Sequence, residues 1–249
     1  SFMLGTNLFF YTWGDGFMSH SFLFFLGAAF LYLTDKWYSF GHRKKDMYGL
    51  GFVLGLAVLI RPTCLLWALF FLLWSTINVK GLKKRALLIA KNGNSILIAF
   101  LISILVMIPQ LFYWHHITGK WVYYTYTKEG FFFLDPQIYK YLFSYRKGWF
   151  LYSPLFLIVL TLGVYELRRN VKGMVLPVIA LVFSAVFVMS SWWTWWFGGG
   201  FGARAMIDFY PFLSFPLAGV FVFLGRKKVL KWVGGMIIVF CFVLNVVQS

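Results

Sequence analysis

Two long apolar runs are joined by the segment Ser190-Ser191-Trp192-Trp193-Thr194-Trp195-Trp196-Phe197-Gly198-Gly199-Gly200-Phe201-Gly202-Ala203-Arg204. Its indoles favour the boundary between hydrocarbon and water, where the apolar ring and the N–H donor are both satisfied. Its glycines allow a sharp turn and a close approach of the backbone to a ligand. The segment therefore predicts a loop at a membrane face that connects two membrane helices.

Arg204 lies just inside the second of these apolar runs. An unpaired cation inside a membrane helix costs about 2.5–3.5 kcal/mol on the insertion scale, so Arg204 needs an anionic partner or a route to water. Two interpretations remain open. Arg204 either belongs to an aromatic belt, where it reaches the surface or pairs with Asp208 one helical turn on, or it binds an anionic ligand.

The rest of the chain is apolar along most of its length. Of its 249 residues, 61% are hydrophobic and 12% are charged, and the mean hydropathy is +0.78. Continuous apolar runs of about twenty residues indicate membrane-spanning helices. We therefore predict an all-α fold: a polytopic transmembrane helix bundle with short or re-entrant helices and outer-face loops, forming a single domain over residues 1–249.

The net charge of +16 is concentrated in short clusters between the apolar runs. Lysine and arginine accumulate in the cytoplasmic loops of membrane proteins, so the clusters predict orientation and argue against a nucleic-acid partner. With the first loop outside, all four clusters fall inside. They occupy residues 43–45, 80–91, 168–172 and 226–231.

The run between the first two clusters is too short for two full crossings. A single crossing would leave one basic cluster outside, yet Gly49–Ile60 has only twelve residues, about 18 Å of helix, against a hydrocarbon core of about 30 Å. We predict that the chain reverses at Ile60-Arg61-Pro62-Thr63, buried within protein at membrane depth. Arg61 is then either a functional residue or a structural one paired with an acid or a carbonyl.

Several cations depart from this pattern and fall on or near the outer face. Beside aromatic rings and glycines, such cations suit an anionic headgroup, and membrane lipid is the predicted partner. They are Arg61, Lys120, Lys128, Lys140, Arg146, Lys147 and Arg204.

The sequence predicts no metal or nucleotide site. It contains no phosphate loop, nucleophile elbow or dinucleotide fingerprint. Adjacent His115 and His116 point in different directions on a helix, and Cys64 and Cys241 each lie alone in an apolar run. The need for a divalent metal is left open.

Four segments, in this order, carry a resemblance to a known family. They are Gly55-Leu56-Ala57-Val58-Leu59-Ile60-Arg61-Pro62, Leu142-Phe143-Ser144-Tyr145-Arg146-Lys147-Gly148-Trp149-Phe150-Leu151-Tyr152-Ser153-Pro154, Trp196-Phe197-Gly198-Gly199-Gly200-Phe201-Gly202-Ala203-Arg204 and Tyr210-Pro211-Phe212-Leu213. Together they resemble the middle and later part of bacterial polytopic GT-C glycosyltransferases, relatives of the protein O-mannosyltransferases and the lipid A aminoarabinose transferases.

This resemblance implies a multi-pass protein of the bacterial inner (plasma) membrane. The implied activity moves a sugar from a polyprenyl-phosphate-linked donor to a glycan, lipid or protein acceptor on the outer side of the membrane. Arg61 and Arg204 correspond to basic residues that lie near the donor phosphate in such families. A non-catalytic lipid-linked-sugar transporter or assembly subunit is the alternative.

The candidate substrate contacts combine these cations with nearby rings. They are His20, Arg61, Tyr145, Arg146, Lys147, Trp192, Trp195, Trp196 and Arg204. The family's catalytic carboxylate, in the first outer loop, has no match here. Asp15, between two glycines, is the candidate base, although a turn residue is the alternative. We therefore expect the chain to be a piece of a longer polypeptide, with the true base upstream.

Overall fold

The computed structural model describes residues 2–124, 126 and 129–248. Over these residues it contains helices and no strand, which confirms the predicted all-α fold. The α-helices are α1 (Phe2–Gly5), α2 (Leu8–Trp13), α3 (His20–Ser39), α4 (Lys44–Ile60), α5 (Trp67–Leu73), α6 (Val79–Lys91), α7 (Gly93–Thr118), α8 (Ile138–Phe143), α9 (Trp149–Tyr152), α10 (Leu155–Ile158), α11 (Val164–Asn170), α12 (Val175–Ser190), α13 (Ser214–Gly225) and α14 (Lys228–Gln248). Three 3-10 segments, Pro62–Leu66, Lys172–Met174 and Arg204–Leu213, precede α5, α12 and α13, and a π turn, Val159–Gly163, joins α10 to α11.

Four helical segments of the described chain are long and apolar enough to cross a membrane. They are Gly93–Thr118, Lys172–Ser190, Arg204–Gly225 and Lys228–Gln248. The shortest has 19 residues and is about 28 Å long, close to the thickness of the hydrocarbon core. The chain is therefore a membrane protein.

The apolar run from Phe150 to Glu166 is not one regular helix. It is interrupted at Ser153, whose φ of −143° and ψ of 66° are not helical. Pro154 follows, and the residue before a proline is sterically pushed out of the helical region. The helical path then resumes as α10, passes through the π turn and ends with α11 at Asn170.

The predicted break at Arg61 is confirmed, but its predicted burial within protein is wrong, since Ile60 and Pro62 are exposed and Arg61 is only partly buried. α4 ends at Ile60, and Arg61 is extended, with φ −145° and ψ 113°, before Pro62 opens the 3-10 segment. At the far end of the following helix, the Phe71 carbonyl accepts a hydrogen bond of 2.9 Å from Tyr38, near the end of α3. Arg61 instead contacts Asp208, which also pairs with His20 at the start of α3, so the chain reverses direction at the break.

The four basic clusters lie at one end of the bundle. The Arg85 guanidinium lies 4.0 Å from the centre of the Tyr38 ring, and Arg226 pairs with Glu166. A Cβ atom at Gly173 would lie 2.7 Å from the Ser75 hydroxyl, so this loop also reaches the same end. We call it the basic end. The opposite end, which holds His20, Arg61 and the segment 192–204, is the site end.

The α4 and α7 helices run parallel and touch through small residues. A Cβ atom at Gly51 would lie 2.2 Å from the Ala99 carbonyl oxygen, and one at Gly55 would lie 2.8 Å from the Ser103 Cα. The Ser103 hydroxyl donates a hydrogen bond of 2.6 Å to the Gly51 carbonyl. This is the small-residue packing by which membrane helices approach closely, and it anchors α7, most of whose surface the bundle leaves uncovered.

Replacing Gly51 should therefore separate the two helices. We expect Gly51→Ala to destabilise the fold by about 1–3 kcal/mol, because the new methyl group meets backbone atoms that cannot move aside. Gly235→Ala is the matched control, since nothing lies within 4 Å of its Cβ position and alanine favours a helix over glycine. Thermal unfolding in detergent measures both, and equal melting temperatures would contradict the close packing.

The hairpin at Arg61 makes a prediction about sidedness that three exposed lysines can test. Lys120→Cys should react with a membrane-impermeant maleimide on intact cells, whereas Lys45→Cys and Lys83→Cys should react only after permeabilisation. The native Cys64 and Cys241 are buried and give a low background. Labelling of Lys83→Cys but not Lys45→Cys on intact cells would place the two basic clusters on opposite sides and contradict the reversal.

Candidate functional site

The centre of the site end is the fully buried carboxylate of Asp208. One of its oxygens accepts a hydrogen bond of 2.8 Å from Nδ1 of His20, and the other lies 3.5 Å from a guanidinium nitrogen of Arg61. His20 begins α3, Arg61 lies at the break after α4, and Asp208 lies in the 3-10 segment before α13. One side chain therefore joins three separate parts of the fold.

Asp208 does not pair with Arg204, which corrects one of the two interpretations offered for that arginine. Residues four apart share a face of an α-helix, but Arg204–Leu213 is a 3-10 segment with about three residues per turn. Residues four apart then lie about 120° apart around the axis. Asp208 points into the bundle, and no carboxylate of the described residues lies within 4 Å of the Arg204 guanidinium.

The His20 side chain is entirely buried against Asp208. Its second ring nitrogen, Nε2, has no hydrogen-bond partner among the described residues. The Tyr11 ring packs edge-on against it, with the ring centroids 5.3 Å apart. A buried carboxylate is stable only when it is paired and hydrogen-bonded, and His20 and Arg61 together meet that condition.

Tyr11, on α2, connects this buried cluster to the segment that carries the tryptophans. Its hydroxyl accepts a hydrogen bond of 2.8 Å from the Phe201 N–H and lies 3.2 Å from the Phe201 carbonyl. Burial raises the pKa of Tyr11, the positive charge of Arg204 acts in the opposite direction, and the negative charge of Asp15 raises the pKa further. Arg204 and Asp15 therefore lie within electrostatic reach of one phenol.

The backbone around Tyr11 requires glycine. Gly198, Gly200 and Gly202 have positive φ angles of 63°, 101° and 61°. A Cβ atom at Gly200 would lie 2.5 Å from the Tyr11 hydroxyl and 3.4 Å from a guanidinium nitrogen of Arg204. A side chain at this position would therefore displace the groups that meet there, and the glycines allow the backbone to approach them closely.

Three cations gather beside residues Gly198 to Gly202, which we call the glycine segment. The Lys147 ammonium donates a hydrogen bond to the Gly198 carbonyl, and the Arg146 guanidinium stacks over the Trp196 ring, 3.6 Å from its centre. Burial lowers the pKa of Lys147, and the charges of Arg204 and Arg146 lower it further. Lys147, Arg146 and Arg204 thus all lie against the short stretch from Trp196 to Gly200, and no acid of the described chain forms an ion pair with any of them. We call these three residues the cation group.

The other predicted contacts are more scattered. Trp195 is buried in the core, with 7% of its surface exposed, so its ring serves packing. Trp192 packs against Phe131, with ring centroids 4.7 Å apart. Tyr145 is 89% exposed next to the cation group. The predicted contacts thus form two groups at the site end. His20 and Arg61 meet at Asp208, and Arg146, Lys147 and Arg204 lie near Trp196.

Asp15 lies in a turn, as its glycine neighbours predict. Its N–H donates to the Phe10 carbonyl and its own carbonyl accepts from the Met18 N–H, at 3.0 and 3.1 Å. The side chain is half-buried and its charge acts on Tyr11. The turn and the candidate base are therefore compatible, because the backbone forms the turn and leaves the carboxylate available.

Sequence reasoning missed Asn7, Tyr11 and Tyr210. The Tyr210 hydroxyl donates a hydrogen bond of 2.7 Å to the Asn7 side-chain oxygen, and the Asn7 amide reaches the Phe201 carbonyl at 3.4 Å. All three residues are almost fully buried. A polar side chain inside an apolar run needs a partner, and that rule could have marked them without giving their contacts.

No group of three or more metal-ligating side chains occurs among the residues that the structure covers. Lys128, one of the predicted outer-face cations, lies outside the described residues.

Comparison with models of protein families, with curated proteins and with solved structures finds no match to this chain.

The buried cluster makes a prediction about stability. Asp208→Asn should decrease the free energy of unfolding, because it leaves the partly buried Arg61 without a counter-charge. Breaking a buried ion pair costs about 3–5 kcal/mol, and we expect the lower end of this range. Asp35→Asn, an exposed acid on α3, should change it by less than about 0.5 kcal/mol.

Thermal unfolding in detergent measures both variants. Adding Arg61→Gln to Asp208→Asn should cost less than the two single effects summed, because the double variant buries no unpaired charge. Equal melting temperatures for Asp208→Asn and Asp35→Asn would contradict the cluster.

Proposed function

We propose that this chain forms the donor site of a membrane glycosyltransferase that uses a polyprenyl-phosphate-linked sugar. The observation that carries the proposal is the cation group beside the glycine segment. Lys147, Arg146 and Arg204 contact Gly198, Trp196 and the space at Gly200, and none of the three has an ion-paired acid among the described residues. Mutually repelling cations are stabilised by a bound anion, and a phosphate with several oxygens can meet more than one of them.

Asp208 supports this assignment because it does not neutralise Arg204. Its carboxylate is held by His20 and Arg61, so the negative charge stays away from Arg204. The Arg204 guanidinium is planar and permanently charged, and can donate two parallel hydrogen bonds to a phosphate. Its Nε is buried without a partner in the described structure, so it retains hydrogen-bonding capacity.

An apolar groove next to the cation group can take the polyprenyl chain. It has a volume of about 310 Å³ and lies between α8, the segment from α9 to α11, and α12. Trp149 and Phe150 line it, two and three residues after Lys147. A donor with its phosphate at Lys147 and its hydrocarbon in this groove would satisfy both chemistries at once.

In the proposed reaction, the bond between the sugar carbon and the phosphate oxygen breaks, and the phosphate leaves with the electron pair. An acceptor hydroxyl forms the new bond to the same carbon and releases its proton to a base. The cation group would stabilise the negative charge that develops on the leaving phosphate. Asp15 is the candidate base within this chain, near Tyr11 and Arg204.

A lipid-linked-sugar transporter or assembly subunit would use the same phosphate site and the same groove. Such a protein would bind the donor but would not transfer the sugar. Transfer of a radiolabelled sugar from the donor to an acceptor distinguishes the two functions.

Arg204 provides the sharpest test of the donor site. Arg204→Lys should weaken binding of a polyprenyl phosphate about tenfold, because lysine keeps the charge and loses the paired hydrogen bonds, and Arg204→Ala should weaken it further. Arg169→Lys and Arg169→Ala are matched controls, since Arg169 is exposed at the basic end.

Binding can be measured by titrating the purified protein with a short-chain polyprenyl phosphate, and sugar transfer by the radiolabel assay. Melting temperatures should stay close to the wild-type value, because Arg204 forms no ion pair in the described structure. A folded Arg204→Ala variant with unchanged binding would contradict the proposed donor site.

A further inference from the structure

A second cavity lies at the basic end, where α13 turns into α14. It has a volume of about 820 Å³ and lies at the opposite end of the bundle from the cation group. Its lining is Gly225, Arg226, Lys228, Lys231, Trp232 and Gly235. The site described above uses none of these residues.

Four of the lining residues form one stripe on α14. Lys228, Lys231, Trp232 and Gly235 follow the spacing i, i+3, i+4 and i+7, which places them on a single helix face. Nothing lies within 4 Å of the Cβ position of Gly235, so the stripe keeps open space in front of it. Trp232 is 70% exposed, as expected of an indole at the level of lipid headgroups.

The cavity keeps an excess of positive charge. Arg226 pairs with Glu166, a fully buried carboxylate that also accepts a hydrogen bond of 3.1 Å from the Asn170 amide. Lys228 and Lys231 form no ion pair with an acid of the described chain, and the first turn of α14 contains no acid. Cations in the first turn oppose the helix dipole, so helix stability does not account for them.

The general enrichment of lysine and arginine in the cytoplasmic loops of membrane proteins does not account for the cavity either. The α6 helix also carries lysines at this end, and it buries none of its described residues. Lys83 and Lys84 are simply exposed there and line neither cavity described here. The combination of cations, an interfacial indole and open space distinguishes the α13–α14 turn from α6.

We propose that this cavity binds the phosphate of an anionic phospholipid in the leaflet at the basic end. Lys228 and Lys231 would contact the phosphate oxygens, Arg226 would be held in place by Glu166, and Trp232 would lie against the glycerol region. Phosphatidylglycerol, with one net negative charge, has the required chemistry, and zwitterionic phosphatidylcholine lacks it. The site lies at the opposite end from the donor site and does not depend on the proposed transferase activity.

Native mass spectrometry of the detergent-solubilised protein can test this site, with dioctanoyl-phosphatidylglycerol as the probe. We expect the double variant Lys228→Gln/Lys231→Gln to weaken binding about 25-fold, since each lysine near an anionic headgroup contributes about a factor of five. The matched control Lys83→Gln/Lys84→Gln makes the same change of charge on α6 and should leave binding within about twofold of the wild-type value. The substituted lysines are exposed, so both variants should keep the wild-type melting temperature.

Two further binding measurements identify whether the phosphate belongs to a lipid or is free in solution. Dioctanoyl-phosphatidylcholine should bind more weakly than phosphatidylglycerol, and excess inorganic phosphate should fail to displace the lipid, because the lipid also contacts Trp232. Displacement by inorganic phosphate would assign the cavity to a soluble phosphate and overturn the lipid proposal. Equal binding of the two lipids, or equal loss in the two double variants, would also overturn it.

Discussion

The Asp208 carboxylate, buried and shared by His20 and Arg61, is the interaction on which the site end depends. A lone carboxylate in this position would be unstable, and so would a lone Arg61 at membrane depth. Together they hold the break at Arg61 in place, because the Arg61 guanidinium lies close to its counter-charge where the backbone is extended. The two basic clusters that flank the hairpin can then lie at the same end.

The same pairing determines which cations remain available. Since Asp208 faces into the bundle, Arg204 is left with Tyr11 and with the glycine segment that lies across them. Arg146 and Lys147 approach from the loop before α9 and extend the positive region. The buried Asp208 carboxylate thus stabilises the fold, and the cation group beside it remains able to stabilise a bound anion.

Much of the fold could be predicted from the sequence because its signals are local. The apolar runs identify membrane helices, the basic clusters fix which loops share an end, and the Arg61-Pro62 pair marks the break between α4 and α5. The site was harder to predict. The interpretation that paired Arg204 with Asp208 assumed an α-helix, and the 3-10 form of this segment turned the acid toward His20. Sequence spacing cannot reveal where Asp208 points, because its partner His20 lies 188 residues away in the chain.

The central claim is that Arg204 is free for a phosphate because Asp208 is already paired. A structure of the protein with a bound polyprenyl phosphate tests this most directly. We expect the phosphate to contact the Arg204 guanidinium while the Asp208 carboxylate remains on His20 and Arg61. A structure in which Arg204 pairs with Asp208 and the phosphate lies elsewhere would contradict it.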